Sequence, residues 1–166
     1  MTLDQFIRDY KVKPADAIVV KKDFIGLLDH YLIYLGYYSG EHKFIANYLR
    51  GTKILSYAEL NSFSREFSPS RIRKFKGNDI QRNAAVERAL SRCDQYSYHL
   101  ILNNCEHFAN YVQEGKPFSK QTTVFGAGLA VTGLAMAASS KNDANKSIGV
   151  LMAALGLLTL FQDSKD

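Results

Sequence analysis

The chain reads as an α+β fold: a small antiparallel sheet packed on a cysteine-bearing helix, followed by an apolar helical hairpin. Three observations predict this. Runs of β-branched and aromatic residues recur between positions 16 and 75, an amphipathic segment opens at Cys105, and two uncharged runs follow Lys120. A length of 166 residues suits one domain with an appendage and a sizeable core.

Residues 1–13 form a lead-in with helical character. Strands are expected at 16–22, 29–37 and 41–48, because these runs are apolar, aromatic and bounded by glycine or charge. A short strand is expected at 53–56 and a helical turn at 58–63. Residues 67–70 turn around Pro69, and 71–75 give the last strand. A helix is expected over 79–93. The next runs from Cys105 to about position 114, stopping at Gly115 with Pro117 beyond.

Asn103-Asn104-Cys105-Glu106-His107-Phe108 holds the candidate nucleophile. Asn104 is a good N-cap, since its side-chain oxygen accepts an orphan backbone N–H. Cys105 then stands at a helix N-terminus, where the partial positive charge favours thiolate over thiol. A small buried residue that merely begins a helix is the plainer reading, and the histidines upstream argue against it.

His30 opens Asp29-His-Tyr-Leu-Ile-Tyr-Leu-Gly36, and His42 follows the next turn. A hairpin centred on Gly36 places residues whose numbers sum to 72 opposite each other. His30 then faces His42, with Cβ atoms about 4.5–5.5 Å apart. In that arrangement His30 takes the Cys105 proton and His42 orients it, following nucleophile–base–orienter logic. His107 lies two residues past Cys105 and points elsewhere on the helix, so it reads as packing or hydrogen bonding, as does His99.

Other chemistries fit less well. Cys105 and His107 are too close for ordinary zinc spacing, Cys93 is remote, and no CxxC or HxxxH occurs, so no metal and no other cofactor is expected. Gly126-Ala-Gly128 lacks the third glycine of a nucleotide loop. The net charge is +5, and positions 43–82 hold nine Lys or Arg against three Asp or Glu. No nucleic-acid-binding motif accompanies that excess. Arg71-Ile-Arg-Lys-Phe-Lys76 alternates basic with apolar and reads as a strand with one charged face, either solvated or set against anionic lipid heads.

The box Asn104-Cys-Glu-His-Phe108, with the strand His30-Tyr-x-Ile-Tyr-x-Gly36 before it, resembles the lecithin:retinol acyltransferase-like family. The resemblance covers roughly positions 14–120. It implies a permuted papain-like fold of the NlpC type. It also implies that Cys105 takes an acyl group from a phospholipid as a thioester and passes it to water, an amine or an alcohol. The family's two histidines carry over to His30 and His42. Two departures are visible. Ala15 stands before Asp16 where the family usually has glycine, and Tyr31 follows His30 where it usually has tryptophan.

After Lys120 the composition changes. Residues 121–140 and 147–162 carry no charge, with Lys141–Lys146 as a polar turn. Small residues at four-residue spacing, Gly126–Ala130 and Gly133–Ala137, allow close helix approach in lipid. Residues 1–120 are therefore read as the thiol acyltransferase or hydrolase domain and 121–166 as a helical hairpin that anchors it in a membrane or packs as a soluble pair. Cys93 and Cys105 are expected as free thiols, since Met1-Thr-Leu-Asp-Gln-Phe lacks the features of a secretory signal. The active domain is thus expected on the cytoplasmic side of a membrane, with a phospholipid acyl donor and no nucleic acid. A cysteine peptidase or amidase, and a non-catalytic membrane-binding module, are the alternative functions. Acyl acceptor and oligomeric state are not encoded legibly.

Overall fold

The computed structural model describes residues 3–21, 29–48, 51–56, 59–60, 69–95 and 105–163. They fall into two compact units, residues 3–117 and 118–163.

The first unit is α+β. Its elements are α1 (Leu3–Asp9), β1 (Ala17–Lys21), β2 (Asp29–Tyr38), β3 (Glu41–Tyr48), β4 (Gly51–Leu55), β5 (Pro69–Arg73), α2 (Asp79–Leu90) and α3 (Cys105–Glu114). The strands form one antiparallel sheet in the order β4-β3-β2-β1-β5. Both faces of the sheet are covered, which is why the central strands are apolar throughout rather than alternating. On one face Ala17, Val19, Tyr31, Ile33, Leu35 and Ile45 pack with α2 and α3. On the other, Ile18, Leu32, Tyr34, Phe44, Ala46 and Leu55 pack with α1.

Boundaries differ from expectation in three places. Strand β4 starts two residues early, at Gly51, and β5 starts at Pro69. Proline lacks an N–H and is tolerated here because β5 is an edge strand. Helix α2 ends at Leu90, so Cys93 lies in a turn, packed against the α2–α3 core. Asn104, His99 and most of the 58–63 turn lie outside the described residues.

The β2–β3 register corrects the expected one. The turn is Ser39-Gly40, with φ of 52° and 83°. Two central residues at positive φ match the right-handed twist of the flanking strands. Tyr37 therefore pairs with His42, and Gly36 with Lys43. Gly36 instead marks a bulge between Tyr34 and Gly36, where φ is +125° and a Cβ would press on the Tyr38 ring.

At the entry to β1, Ala15 is fully buried with φ of 67°, the conformation that favours glycine. Buried Asp16 anchors this corner. Its carboxylate accepts from the Lys13 and Phe75 backbone N–H groups and from Arg82 Nη1, each at 3.0 Å.

The second unit is an antiparallel pair, α4 (Lys120–Ser139) and α5 (Asp143–Asp163). The Ser119 hydroxyl caps α4 by accepting from Thr122 N–H at 3.1 Å. The seam consists of small residues. A Cβ on Gly133 would run into the Gly149 carbonyl and the Ala153 nitrogen, and one on Gly156 into the Ala130 nitrogen. The outside is apolar and exposed, including Val124, Phe125, Val131, Leu151 and Phe161. Both helices are long and apolar enough, by length and composition, to cross a membrane.

Candidate active site

Cys105 is the first residue of α3 and is 7% exposed. Helix α3 lies on β2 and β3 with Phe108, Ala109 and Val112 against the sheet. Its N-terminal backbone N–H groups give the sulfur a partly positive surrounding, which favours thiolate. Cys93 is different in kind. Burial and the neighbouring Asp94 push its thiol pKa up, so it is a poor nucleophile. Both cysteines are free thiols.

His30 is the second residue of β2 and is partly buried. Its ring lies on Tyr48, with centroids 4.8 Å apart and planes 48° apart. This contact follows from the true register, since continuing the Ile33–Ile45 and Tyr34–Phe44 pairs sets His30 against Tyr48. Tyr48 is pushed up to about 12 by its burial, then by charge at Cys105 and at Glu59. Tyr48 therefore touches the His30 ring and lies within electrostatic range of Cys105. Alternation along β2 gives Tyr31 to the α3 face, while His30, the second residue of the strand, keeps to the Tyr48 side at the end of the sheet where the Cys105 charge reaches Tyr48.

His42 is not opposite His30. It lies six residues from Tyr48 along β3, about 20 Å at strand rise. Its Nδ1 is 2.6 Å from the Tyr34 hydroxyl and its Nε2 is 3.2 Å from Asp4 Oδ1. Its ring also meets Tyr37 edge-on at 5.0 Å. These contacts tie α1 to the sheet. The expected pairing fails because the glycine taken for the turn centre is a bulge.

Next to the two candidate residues lies a buried polar network that the sequence reading did not find. The Tyr31 hydroxyl donates to Glu106 Oε1 at 3.3 Å, and Arg71 Nη2 donates to that hydroxyl at 3.1 Å. The Arg73 guanidinium stands 5.4 Å over the Tyr31 ring and also bonds Asn110 and Gln113 of α3. Tyr31 is 2% and Glu106 4% exposed. Burial and the Glu106 carboxylate raise the Tyr31 pKa, while Arg71 opposes them. The alternating basic strand therefore does not present a wholly solvated face. Arg73 turns inward onto α3, and Lys74 bonds Asp16 and the Tyr10 and Lys11 carbonyls. A signal for this network existed in the phenol after His30 and the carboxylate after Cys105, but sequence alone does not show that they meet.

His107 is buried at 2% exposure, in keeping with the packing or hydrogen-bonding role expected of it. On β3, beside Tyr48, Asn47 is 1% exposed and accepts the Thr52 hydroxyl at 3.3 Å. Among the described residues, no three His, Cys, Asp or Glu side chains cluster as a metal ion would require.

No curated protein matches the chain. The model of the lecithin retinol acyltransferase family matches residues 10–118, a span that takes in the sheet, Cys105 and His30. Covering more than half the chain, that match shows that the protein belongs to the lecithin retinol acyltransferase family.

Proposed function

We propose that this chain is a thiol-dependent acyltransferase or phospholipase A acting on membrane phospholipids, with a permuted papain-like arrangement of its sheet and α3. Family membership supports acyl chemistry of this general kind. The observation that carries the residue assignment is that Cys105 opens α3 while His30 lies on Tyr48, the tyrosine that feels the Cys105 charge.

In the proposed first step His30 takes the thiol proton and Cys105 Sγ attacks an ester carbonyl of the lipid. A C–S bond forms, the ester C–O bond breaks, and the leaving alkoxide receives the proton from His30. In the second step His30 takes a proton from water, an amine or an alcohol, which attacks the thioester. The new C–O or C–N bond forms, the C–S bond breaks, and His30 returns the proton to the leaving Cys105 sulfur. His42 has no part in this scheme, because its ring serves Tyr34 and Asp4.

The α4–α5 hairpin is the proposed membrane anchor. Helices of 20 and 21 residues are about 30 Å long, the thickness of a hydrocarbon core. Their apolar outer faces would meet lipid, and the free thiols of the first unit suit the cytoplasmic side.

Intact-protein mass spectrometry after incubation with mixed phospholipids tests the chemistry. A gain of one fatty acyl mass is expected, and none in Cys105→Ala. Acylation that persists in Cys105→Ala would sink the thioester mechanism.

A further inference from the structure

Tyr31 directly follows His30, and Glu106 directly follows Cys105. Their side chains meet across 75 positions of sequence, through the Tyr31 hydroxyl and Glu106 Oε1 at 3.3 Å. Resting on the Cys105–His30 reading, we propose that this bond makes Tyr31 and Glu106 positioning residues, which hold the first turn of α3 at a fixed height on β2 and so set the nucleophile against its base.

At the first turn of α3 the Tyr31–Glu106 bond adds a directional contact to the apolar ones. Phe108, Ala109 and Val112 hold the helix to the sheet by apolar contact. Such contact is non-directional and tolerates small slides. Arg73 bonds Asn110 and Gln113, which lie one and two turns further along. A slide of about 1 Å is enough to cost about 100-fold in rate. The Tyr31–Glu106 bond opposes such a slide at the turn that carries the sulfur.

The bond is well placed to be rigid. Both partners are nearly dry, so water does not replace it at equal energy. Arg71 holds the Tyr31 hydroxyl from the other side at 3.1 Å, and Arg73 covers the ring. The two guanidinium groups also offset the Glu106 carboxylate, an anion that would otherwise disfavour a thiolate on the adjoining residue. Both halves of the clamp therefore bear on Cys105, one through geometry and one through charge.

The test uses the full chain with phosphatidylcholine vesicles and three variants, Tyr31→Phe, Tyr31→Trp and Glu106→Gln. Tyr31→Phe keeps the ring and loses only the donor. Its kcat should fall about 10- to 100-fold with KM within about two-fold. The midpoint of Cys105 alkylation by iodoacetamide should rise about one pH unit. Tyr31→Trp restores a donor through the indole N–H and should recover at least about ten-fold of the loss. Glu106→Gln retains an acceptor for the Tyr31 hydroxyl and should lose less than Tyr31→Phe, which keeps the idea testable if either Tyr31 variant folds poorly.

Wild-type kcat and alkylation in Tyr31→Phe, alongside loss of both in His30→Gln, would overturn the clamp and leave the Cys–His reading standing. Wild-type values in His30→Gln would remove that reading itself. Equal losses in the Phe and Trp variants, tracking their melting temperatures, would reduce Tyr31 to packing and also overturn the proposal.

Discussion

The two units reach order by opposite means. In the sheet unit, polar side chains go inward and find partners: Asp16, Tyr31, Glu106 and Asn110 are all nearly dry and all bonded. In the hairpin, apolar side chains go outward while glycine and alanine fill the seam. Buried polar bonds are directional and fix angles and distances. A small-residue seam fixes only how closely two backbones approach, and leaves the outer face to whatever surrounds it. The first arrangement suits chemistry, which needs a held geometry. The second suits a surface in lipid.

The most drastic way to break this comparison is to separate the functions. A chain ending at Lys120 should lose flotation with liposomes entirely, whereas the full chain should float and resist a carbonate wash. The shortened chain should still form an acyl-thioester on dispersed lipid, because Cys105 and His30 precede the cut. If the full chain is soluble and monomeric without detergent, the hairpin is a packed soluble pair and the anchor reading fails.

The next test lies within the sheet unit. Loss of a general base typically costs about 100- to 10,000-fold, so His30→Ala should fall in that range. His42→Gln should keep kcat within a few-fold, because His42 bonds Tyr34 and Asp4 rather than His30. It should instead lower stability by about 1 kcal/mol, the usual worth of such a bond. Steady-state rates and urea midpoints on the same two proteins decide between these roles. A collapse of kcat in His42→Gln with unchanged stability would restore His42 to the machinery.

That pair of variants also shows how far sequence reading goes. Runs of β-branched and aromatic residues located the strands, and the uncharged runs located both long helices, because composition is a local property. The helix at Cys105 was legible for the same reason. Register was not. The turn through Ser39-Gly40 was visible between the expected strands, but the register was centred on Gly36, because glycine serves turns and bulges alike. That one error moved the partner of His30 from Tyr48 to His42. Arg71 and Arg73 were misread similarly. Alternation shows that they share a face, but not that α3 lies over it.

The smallest expected effect sharpens the comparison by pH. All ten tyrosines precede Phe118, so phenol titration reports on the sheet unit alone. Tyr34 and Tyr48 are each pushed up to about 12, foremost by burial. A folded-state pKa above the unfolded value near 10 means that the folded chain holds its protons longer. The associated stability is complete below pH 10 and is lost as pH rises through about 12. The loss should be on the order of 2 kcal/mol, since each pKa unit corresponds to about 1.4 kcal/mol and neither ring is wholly shielded from water. Tyr34→Phe should remove part of that slope while leaving the fold intact, since only the hydroxyl that meets His42 is lost. Absorbance at the phenolate band and urea unfolding at pH 9 and pH 11.5 measure both quantities. Helicity of the isolated hairpin in micelles should not change over the same interval. If every tyrosine titrates near 10, or if the hairpin melts in step with the sheet, then the two units do not differ in their buried polar groups as described.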